Sequence, residues 1–183
     1  MATPFDTTLL RLGKHQFTNE ILSTFMAEAC GIVNSCPITS VSSDANEPQA
    51  LTPAMLLTTK MQPLHPPPGD FVKEDLVARK RWRQVQYLAN QFWIRWRQEY
   101  LQGLQPRRKW SESKPNLAEG DVVLLREKEN PRCYWPLARV VKTYNSDDGK
   151  VRKAEVKFYR NGAQRTALRP ISELILIEHS VQT

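Results

Sequence analysis

The turn at residues 146–149 is flanked by basic side chains whose spacing suits phosphate binding. Lys142 precedes the turn sequence "SDDG", and Lys150, Arg152 and Lys153 follow it. Cations that contact a nucleic-acid backbone release its condensed counterions, and this release favours binding. The other candidates for the same role are Arg132, Arg139, Arg165 and Arg169, and the run Arg107, Arg108 and Lys109. Together these residues predict a surface that binds double-stranded DNA without reading its sequence.

The net charge favours a polyanionic partner because it is concentrated in one part of the chain. The formal charge is +7, and residues 70–169 carry +11, whereas residues 1–69 and 170–183 carry −2 each. Evenly spread lysine and arginine would indicate little more than solubility. Asp147 and Asp148 oppose phosphate binding at the tip of the basic turn, and a basic face that contacts only solvent is the alternative.

A second candidate site is aromatic. Trp135, in "CYWPLARV", precedes a proline at the start of a predicted strand. With Tyr134, Tyr144 and Phe158 it would line a pocket for methylated lysine, which aromatic rings bind through cation–π interactions. Such a pocket would make the protein a reader of chromatin tails or another protein-interaction domain. The alternative is that these rings belong to the core of the domain.

The sequence does not indicate a metal site or a cofactor. Cys30, Cys36 and Cys133 form no C-x-x-C pair, and the histidines lie far from one another. A structural zinc site needs four ligands at short spacings, so we expect neither a metal nor a cofactor. The odd number of cysteines favours a reducing, intracellular compartment. The sequence has no secretory leader and no run of about 18 apolar residues, so we expect no secretion and no membrane span.

The period of the apolar residues changes to two after Leu117, which indicates β-strands. Five short segments have this pattern: "GDVVLLRE", "ARVVKTYN", "KVRKAEVKFY", "AQRTALR" and "ELILIE". Turn signals that include "SDDGK" and "NG" separate them. Closure of such strands into a barrel would remove their exposed edges. We therefore expect residues 107–183 to form a small five-stranded SH3-like β-barrel.

One long helix is predicted within residues 71–106, since residues 71–102 lack proline and glycine and are rich in helix formers. A broad apolar face of this helix predicts a core, and its members are Trp82, Val85, Leu88, Ala89, Phe92, Trp93, Trp96 and Tyr100. A thinner apolar line recurs every seven residues at Tyr87, Ile94 and Leu101. It predicts a second packing partner, and the alternative is three scattered exposed residues.

The N-terminal third predicts two shorter helices. An amphipathic helix begins at a cap on Thr18 or Asn19, and a short helix with Pro53 in its first turn follows at "LTPAMLL". Four prolines and a glycine within residues 61–70 predict an extended linker. The expected fold class is therefore α+β, with a helical region in residues 1–60, the linker, the long helix and the barrel.

Several unrelated stretches, in order, resemble the end of the polyprotein of BEL/Pao LTR retrotransposons. They are "LTPAMLL", "PLHPPPGDF", "RKRWRQVQYLANQFWIRWRQEYLQGLQPRRKW", "GDVVLLRE", "PRCYWPLARVVKTYNSDDGKVRKAEVKF" and "RPISELILI". The resemblance covers nearly the whole chain. It implies that residues 1–60 are a helical remnant of the integrase catalytic core and that the integrase C-terminal module follows. The chain has Cys36 where the family has an arginine, and Ala54 and Met55 where it has a polar pair.

The resemblance implies a role in DNA integration that is not itself catalytic. Integrases hold two divalent ions with two aspartates and a glutamate, and in the family these carboxylates lie upstream of residue 1. Asp6, Glu20 and Glu28 do not replace them, because Glu20 and Glu28 lie about two turns apart on one helix. We expect no enzymatic activity, a nuclear location when the protein is bound to DNA, and contacts of the long helix with the integrase core or a second copy.

Overall fold

The computed structural model describes residues 17–40, 50–59, 66–77, 80–104, 116–127, 130–146, 149–160 and 162–180. In chain order the elements are the helix α1 (Asn19–Asn34), the strands β1 (Thr39–Ser40) and β2 (Ala50–Leu51), the helix α2 (Pro53–Thr58), a 3₁₀ turn (Lys73–Val77), the long helix α3 (Arg81–Leu104), the strands β3 (Val122–Leu125), β4 (Leu137–Asn145), β5 (Val151–Arg160) and β6 (Ala163–Pro170), a second 3₁₀ turn (Ile171–Glu173) and the strand β7 (Leu174–Glu178). The protein is α+β, with a long helix and a five-stranded antiparallel sheet. Within the described ranges no helix is long and apolar enough to cross a membrane.

Helix α1 forms as predicted and packs against α3. The Thr18 hydroxyl accepts a hydrogen bond from the Ile21 amide at 3.5 Å and caps the helix. The buried residues of α1 recur at helical spacing: Ile21, Phe25, Ala29 and Ile32. The Phe25 ring meets the Phe92 ring of α3 edge to face, with the ring centroids 6.2 Å apart. This core joins elements from both sides of the predicted linker.

Helix α3 begins at Arg81, later than the predicted start at residue 71. The 3₁₀ turn before it depends on Asp75, whose carboxylate accepts hydrogen bonds from the Val72 amide at 2.9 Å and from Arg83 Nε at 2.6 Å. The bond from Arg83, and then that from Val72, hold the pKa of Asp75 below its usual value. A side chain that binds the nearby backbone in this way competes with a regular α-helix, which explains the later start.

The broad apolar face of α3 forms a core over most of its length. The predicted residues that are buried are Val85, Leu88, Ala89, Phe92 and Trp93. Trp96 and Tyr100 are half-buried. The Trp96 indole donates a hydrogen bond to Cys36 Sγ at 3.1 Å, and the Tyr100 hydroxyl donates one to the Pro37 carbonyl at 2.5 Å. Trp82 differs from the prediction, since it is 48% exposed near the start of the helix.

The predicted heptad line on α3 does not form one continuous surface. Leu101 is buried against the sheet, Tyr87 packs beside the core that α1 and α3 share, and Ile94 is 59% exposed. Side chains seven residues apart drift by about 20° around a straight helix, so they need not share an environment. The sheet is therefore the packing partner of Leu101, whereas Ile94 lies at the surface.

All five predicted strands of the sheet are confirmed. Their order is β6-β5-β4-β3-β7, so four consecutive strands form a meander and β7 returns to pair with β3. Gly149 and Gly162 each adopt a φ of 72° in the turns after β4 and β5, which glycine tolerates without strain. The predicted closure into a barrel is not found in the described residues. There β6 and β7 form opposite edges of an open sheet.

The sheet has two faces with different neighbours. Its inner face buries a core of Leu117, Val123, Leu125, Ala138, Val140, Ala154, Val156, Phe158 and Leu174. On the outer face, Leu101 of α3 packs against Leu124, Leu137 and Ile175. Of the described helices, none covers the rest of the outer face along β4 and β5. Helix α3 therefore contributes to one core with α1 and to another with the sheet.

Polar contacts hold the segment after α1 on the sheet. The Glu178 carboxylate on β7 accepts hydrogen bonds from the Ser40 hydroxyl at 2.5 Å and the Thr39 hydroxyl at 2.9 Å. These bonds, with that from Ser40 first, lower the pKa of Glu178. The Trp135 indole, just before β4, donates a hydrogen bond to Ser35 Oγ at 3.3 Å. The end of α1 is thereby fixed relative to two strands.

Two substitutions on α3 test which of its faces stabilises the fold. Leu88 is fully buried, so Leu88→Ala should lower the free energy of unfolding by about 2–5 kcal/mol. Ile94→Asp, on the exposed side, should change it by less than about 1 kcal/mol. Urea denaturation followed by circular dichroism measures both values. Equal destabilisation by the two variants would show that Ile94 is buried in solution and would contradict the assignment of faces.

Candidate nucleic-acid interface

Strand register brings four basic side chains to the outer face of the sheet. Residues directly opposite each other on antiparallel strands point to the same face. Arg139 lies opposite Lys157, and Tyr144 lies opposite Lys153. Lys142 lies opposite Glu155, which alternates with the inward-facing Ala154 and Val156. We call the set Arg139, Lys142, Lys153 and Lys157 the basic sheet face.

The centre of the basic sheet face is an exposed cation next to an aromatic ring. Lys142 and Lys153 are exposed, and Lys142 Nζ lies 5.5 Å from the centroid of the Tyr144 ring. The Tyr144 hydroxyl donates a hydrogen bond to Glu155 Oε2 at 3.4 Å. Glu155 offsets part of the positive charge but leaves a net surplus. The ring stabilises the position of the Lys142 ammonium without neutralising it.

The ends of the basic sheet face are held in different ways. Arg139 is partly buried next to β3, and its Nη1 donates a hydrogen bond to the Gly120 carbonyl at 3.3 Å. At the other end the β4–β5 turn is closed by a hydrogen bond from the Ser146 amide to the Lys150 carbonyl. Lys150 and Arg152 are exposed beside this turn. Lys150 extends the positive surface past the strands. Arg152 lies within β5 beside the outward-facing Lys153, so it points to the opposite face. Asp147 and Asp148 lie outside the described residues.

Other predicted DNA contacts lie away from this face. Arg165 lies opposite Phe158 and Arg169 opposite Ala154, so both point to the side of the inner core at the edge of the sheet. Arg169 also forms an ion pair with Glu173 at 3.3 Å. The run Arg107, Arg108 and Lys109 lies outside the described residues. The predicted basic set is therefore divided between two faces of the sheet.

Arg132 is not part of a surface, and its predicted role as a DNA contact was wrong. Only 6% of it is exposed, and its guanidinium donates hydrogen bonds to Gln86 at 2.5 Å and to Asn90 and Glu28 at 3.2 Å each. Gln86 in turn donates to Glu28 at 2.9 Å. This buried network joins α1, α3 and the segment before β4. A phosphate could reach Arg132 only if these bonds broke.

The predicted aromatic pocket was wrong, because its four rings do not converge. Trp135 packs edge to face on Trp93 and Tyr100, with centroids 4.9 Å and 5.2 Å away. Phe158 is buried in the inner core of the sheet. Tyr144 lies on the outer face, and Tyr134 is partly exposed at the surface. No aromatic cage for methylated lysine can be built from residues on such different surfaces.

The candidate carboxylates take part in structural ion pairs. Glu20 binds Arg81 and Glu28 binds Arg132, while Asp6 lies outside the described residues. Where the structure describes the chain, no three histidine, cysteine, aspartate or glutamate residues lie close enough together to hold a metal ion. Burial raises the pKa of the Cys36 thiol to about 11, so this cysteine is a neutral core residue.

Sequence reasoning missed Lys157 as a member of the basic sheet face. In "KVRKAEVKFY" it lies four residues after Lys153 and has the same parity along the strand. A stricter count of alternation within this segment would have found it.

A known protein family includes the segment of the chain that contains the basic sheet face. A model of a family of unknown function, DUF5641, matches residues 80–177, which is more than half of the chain. The chain belongs to the DUF5641 family. The DUF5641 match runs from just before α3 into β7, so it contains the long helix, the sheet and the basic sheet face. Neither the curated proteins nor the solved structures include a significant match to the chain.

Substitution of Arg132 and Lys142 should separate stability from binding. Arg132→Ala should cost about 1–3 kcal/mol of unfolding free energy, because Gln86 loses a buried partner. Lys142→Ala should change stability by no more than about 0.5 kcal/mol. Lys142→Ala should lower the affinity for duplex DNA, whereas Arg132→Ala should leave it nearly unchanged. Fluorescence anisotropy measures both affinities below the melting temperature of the two variants. A loss of affinity in folded Arg132→Ala that equals the loss in Lys142→Ala would contradict this division.

Proposed function

We propose that this DUF5641 protein is a non-catalytic module that binds double-stranded DNA through the basic sheet face, without sequence preference. One observation carries the proposal: the pairing of β4 with β5 places Arg139, Lys142, Lys153 and Lys157 on one face that no described helix covers. The concentration of the net positive charge in the same part of the chain supports it. Solvation alone would not require four cations on one face.

The shape of the face favours contacts with phosphates over contacts with bases. Side chains two residues apart along a strand are separated by about 6.6 Å, and neighbouring strands by about 4.8 Å. Cations at these spacings meet several phosphates at once when a duplex lies across the strands. Reading of the major groove needs a helix or a two-stranded ribbon that enters it. The basic sheet face is instead part of a wider sheet, which supports binding without sequence readout.

The resemblance to the end of BEL/Pao polyproteins supports an integrase as the setting for this activity. In that setting the module is the integrase C-terminal region and holds target DNA while the catalytic core, elsewhere in the polyprotein, performs the chemistry. The meander of four strands and the return of β7 beside β3 support an opened relative of the SH3-like barrel. The proposal places the protein in the nucleus while it is bound to DNA.

A second candidate function is assembly with the integrase core or with a second copy through α3. It is favoured by a groove of about 1020 Å³ between α3 and the end of the sheet. The exposed Ile94 lines the groove together with Trp93 and Leu101, and Arg97 and Arg126 contribute charge to it. Analytical ultracentrifugation of the Ile94→Asp variant tests this role, since loss of an interface would lower the sedimenting mass.

Salt-dependent binding of a labelled duplex tests the main proposal. We expect a dissociation constant of about 10⁻⁴ to 10⁻⁶ M near physiological salt, and a log affinity that falls linearly with log salt. Lys142→Glu/Lys153→Glu should weaken binding and reduce the slope by about two, since each lost phosphate contact removes about 0.9 from it.

The matched control is Lys73→Glu/Lys80→Glu, which makes the same change in net charge at exposed positions outside the sheet. It should keep most of the wild-type slope. The proposal fails if the two double variants lose affinity equally, or if the wild type does not bind at 50 mM salt.

A further inference from the structure

The outer edge of β6 is a second surface, distinct from the basic sheet face. Strand β6 is the last strand on its side of the sheet, and of the described strands only β5 pairs with it. Such an edge presents a row of unpaired backbone N–H and C=O groups. We propose that this edge binds an extended acidic peptide, which adds to the sheet as a further antiparallel strand.

The geometry of β6 suits strand addition. Its eight residues pair with β5 in an uninterrupted register from Ala163 to Pro170. The β4–β5 ladder, in contrast, contains two shifts of register, and the β3–β7 ladder contains one. Bulges protect many edges because they twist the strand away from partners, and β6 has none against β5. Its regular backbone, without a bulge against β5, can therefore act as a template for a further strand.

The side chains of β6 indicate the charge of the partner. Arg165 and Arg169 point to the same face of the strand, with the small Ala167 between them. Arg165 is exposed, and the ion pair of Arg169 with Glu173 is itself about two-fifths exposed, so solvent screens it. Acidic residues opposite these two arginines would form cross-strand ion pairs. On the other face Leu168 is 55% exposed and can pack against an apolar neighbour.

The same two arginines disfavour a second copy of the chain as the partner. An antiparallel β6–β6 pair centred on Ala167 would put Arg165 of each copy opposite Arg169 of the other. Like charges directly opposite each other destabilise a strand pair. In this register the edge repels a second copy, whereas an acidic strand is attracted to it; both effects contribute to specificity.

A nucleic acid fits this edge less well than a peptide does. A phosphodiester backbone offers only hydrogen-bond acceptors here, whereas the edge presents carbonyl acceptors as well as amide donors. A peptide strand supplies both kinds of group at the matching spacing, as in known cases of strand addition. The expected partner has acidic residues opposite Arg169 and Arg165 and an apolar residue opposite Leu168.

Binding of two synthetic peptides to the full chain tests the proposal. The peptide TEVTVET places glutamate opposite both arginines, and TKVTVKT is its charge-reversed control. We expect the first to bind about tenfold more tightly, because two opposite-charge pairs replace two like-charge pairs. Hydrogen exchange should show slower exchange of β6 amides only when TEVTVET is present. The Arg165→Glu/Arg169→Glu variant should prefer TKVTVKT instead.

The outer-face variant Lys142→Glu/Lys153→Glu separates this proposal from DNA binding. It should lose affinity for DNA and keep its affinity for TEVTVET. The proposal is overturned if wild type binds both peptides equally or neither, or if TEVTVET binds without protecting β6. It is also overturned if Arg165→Glu/Arg169→Glu loses duplex affinity as strongly as the outer-face variant, because these arginines would then belong to the DNA interface.

Discussion

The apolar side of α3 is the constraint on which the rest of the structure depends. One 24-residue helix is shared by two cores. Leu88 and Phe92 are buried against α1, while Leu101, further along, is buried against the sheet. Because a helix is rigid over this length, the two cores hold the sheet in a fixed position relative to α1. In that position no described helix covers the outer face of β4 and β5, and the basic side chains lie there.

The buried network around Arg132 adds specificity to this arrangement. A guanidinium that is almost fully buried is costly unless hydrogen bonds compensate for the lost water, and Arg132 donates three, to Gln86, Asn90 and Glu28. Apolar packing alone tolerates many arrangements of two helices, whereas three directed hydrogen bonds allow few. Two of these partners lie within the DUF5641 match and Glu28 lies outside it. Helix α1 is therefore integrated with the family unit by polar as well as apolar contacts.

Local patterns in the sequence were sufficient to predict the helices and strands, but not to predict which basic residues share one face of the sheet. The five strands and the cap at Thr18 depend on neighbouring residues, so the period of two and the capping pattern located them. The burial of Arg132 depends on helices distant in sequence, and no local pattern reports it. If side chains alternated strictly along β4, Lys142 would point to the face opposite that of Arg139. A shift of register after Val140 reverses that assignment and brings the two cations together.

The central claim is that the outer face of β4 and β5 contacts DNA, and an NMR titration tests it most directly. ¹H–¹⁵N spectra of the labelled chain, recorded with increasing amounts of a short duplex, report on each backbone amide. The account predicts that the largest shifts occur at Lys142, Tyr144, Lys153 and Lys157 and that they diminish with added salt. Shifts confined to α1, to the groove beside Ile94 or to the β6 edge would contradict it.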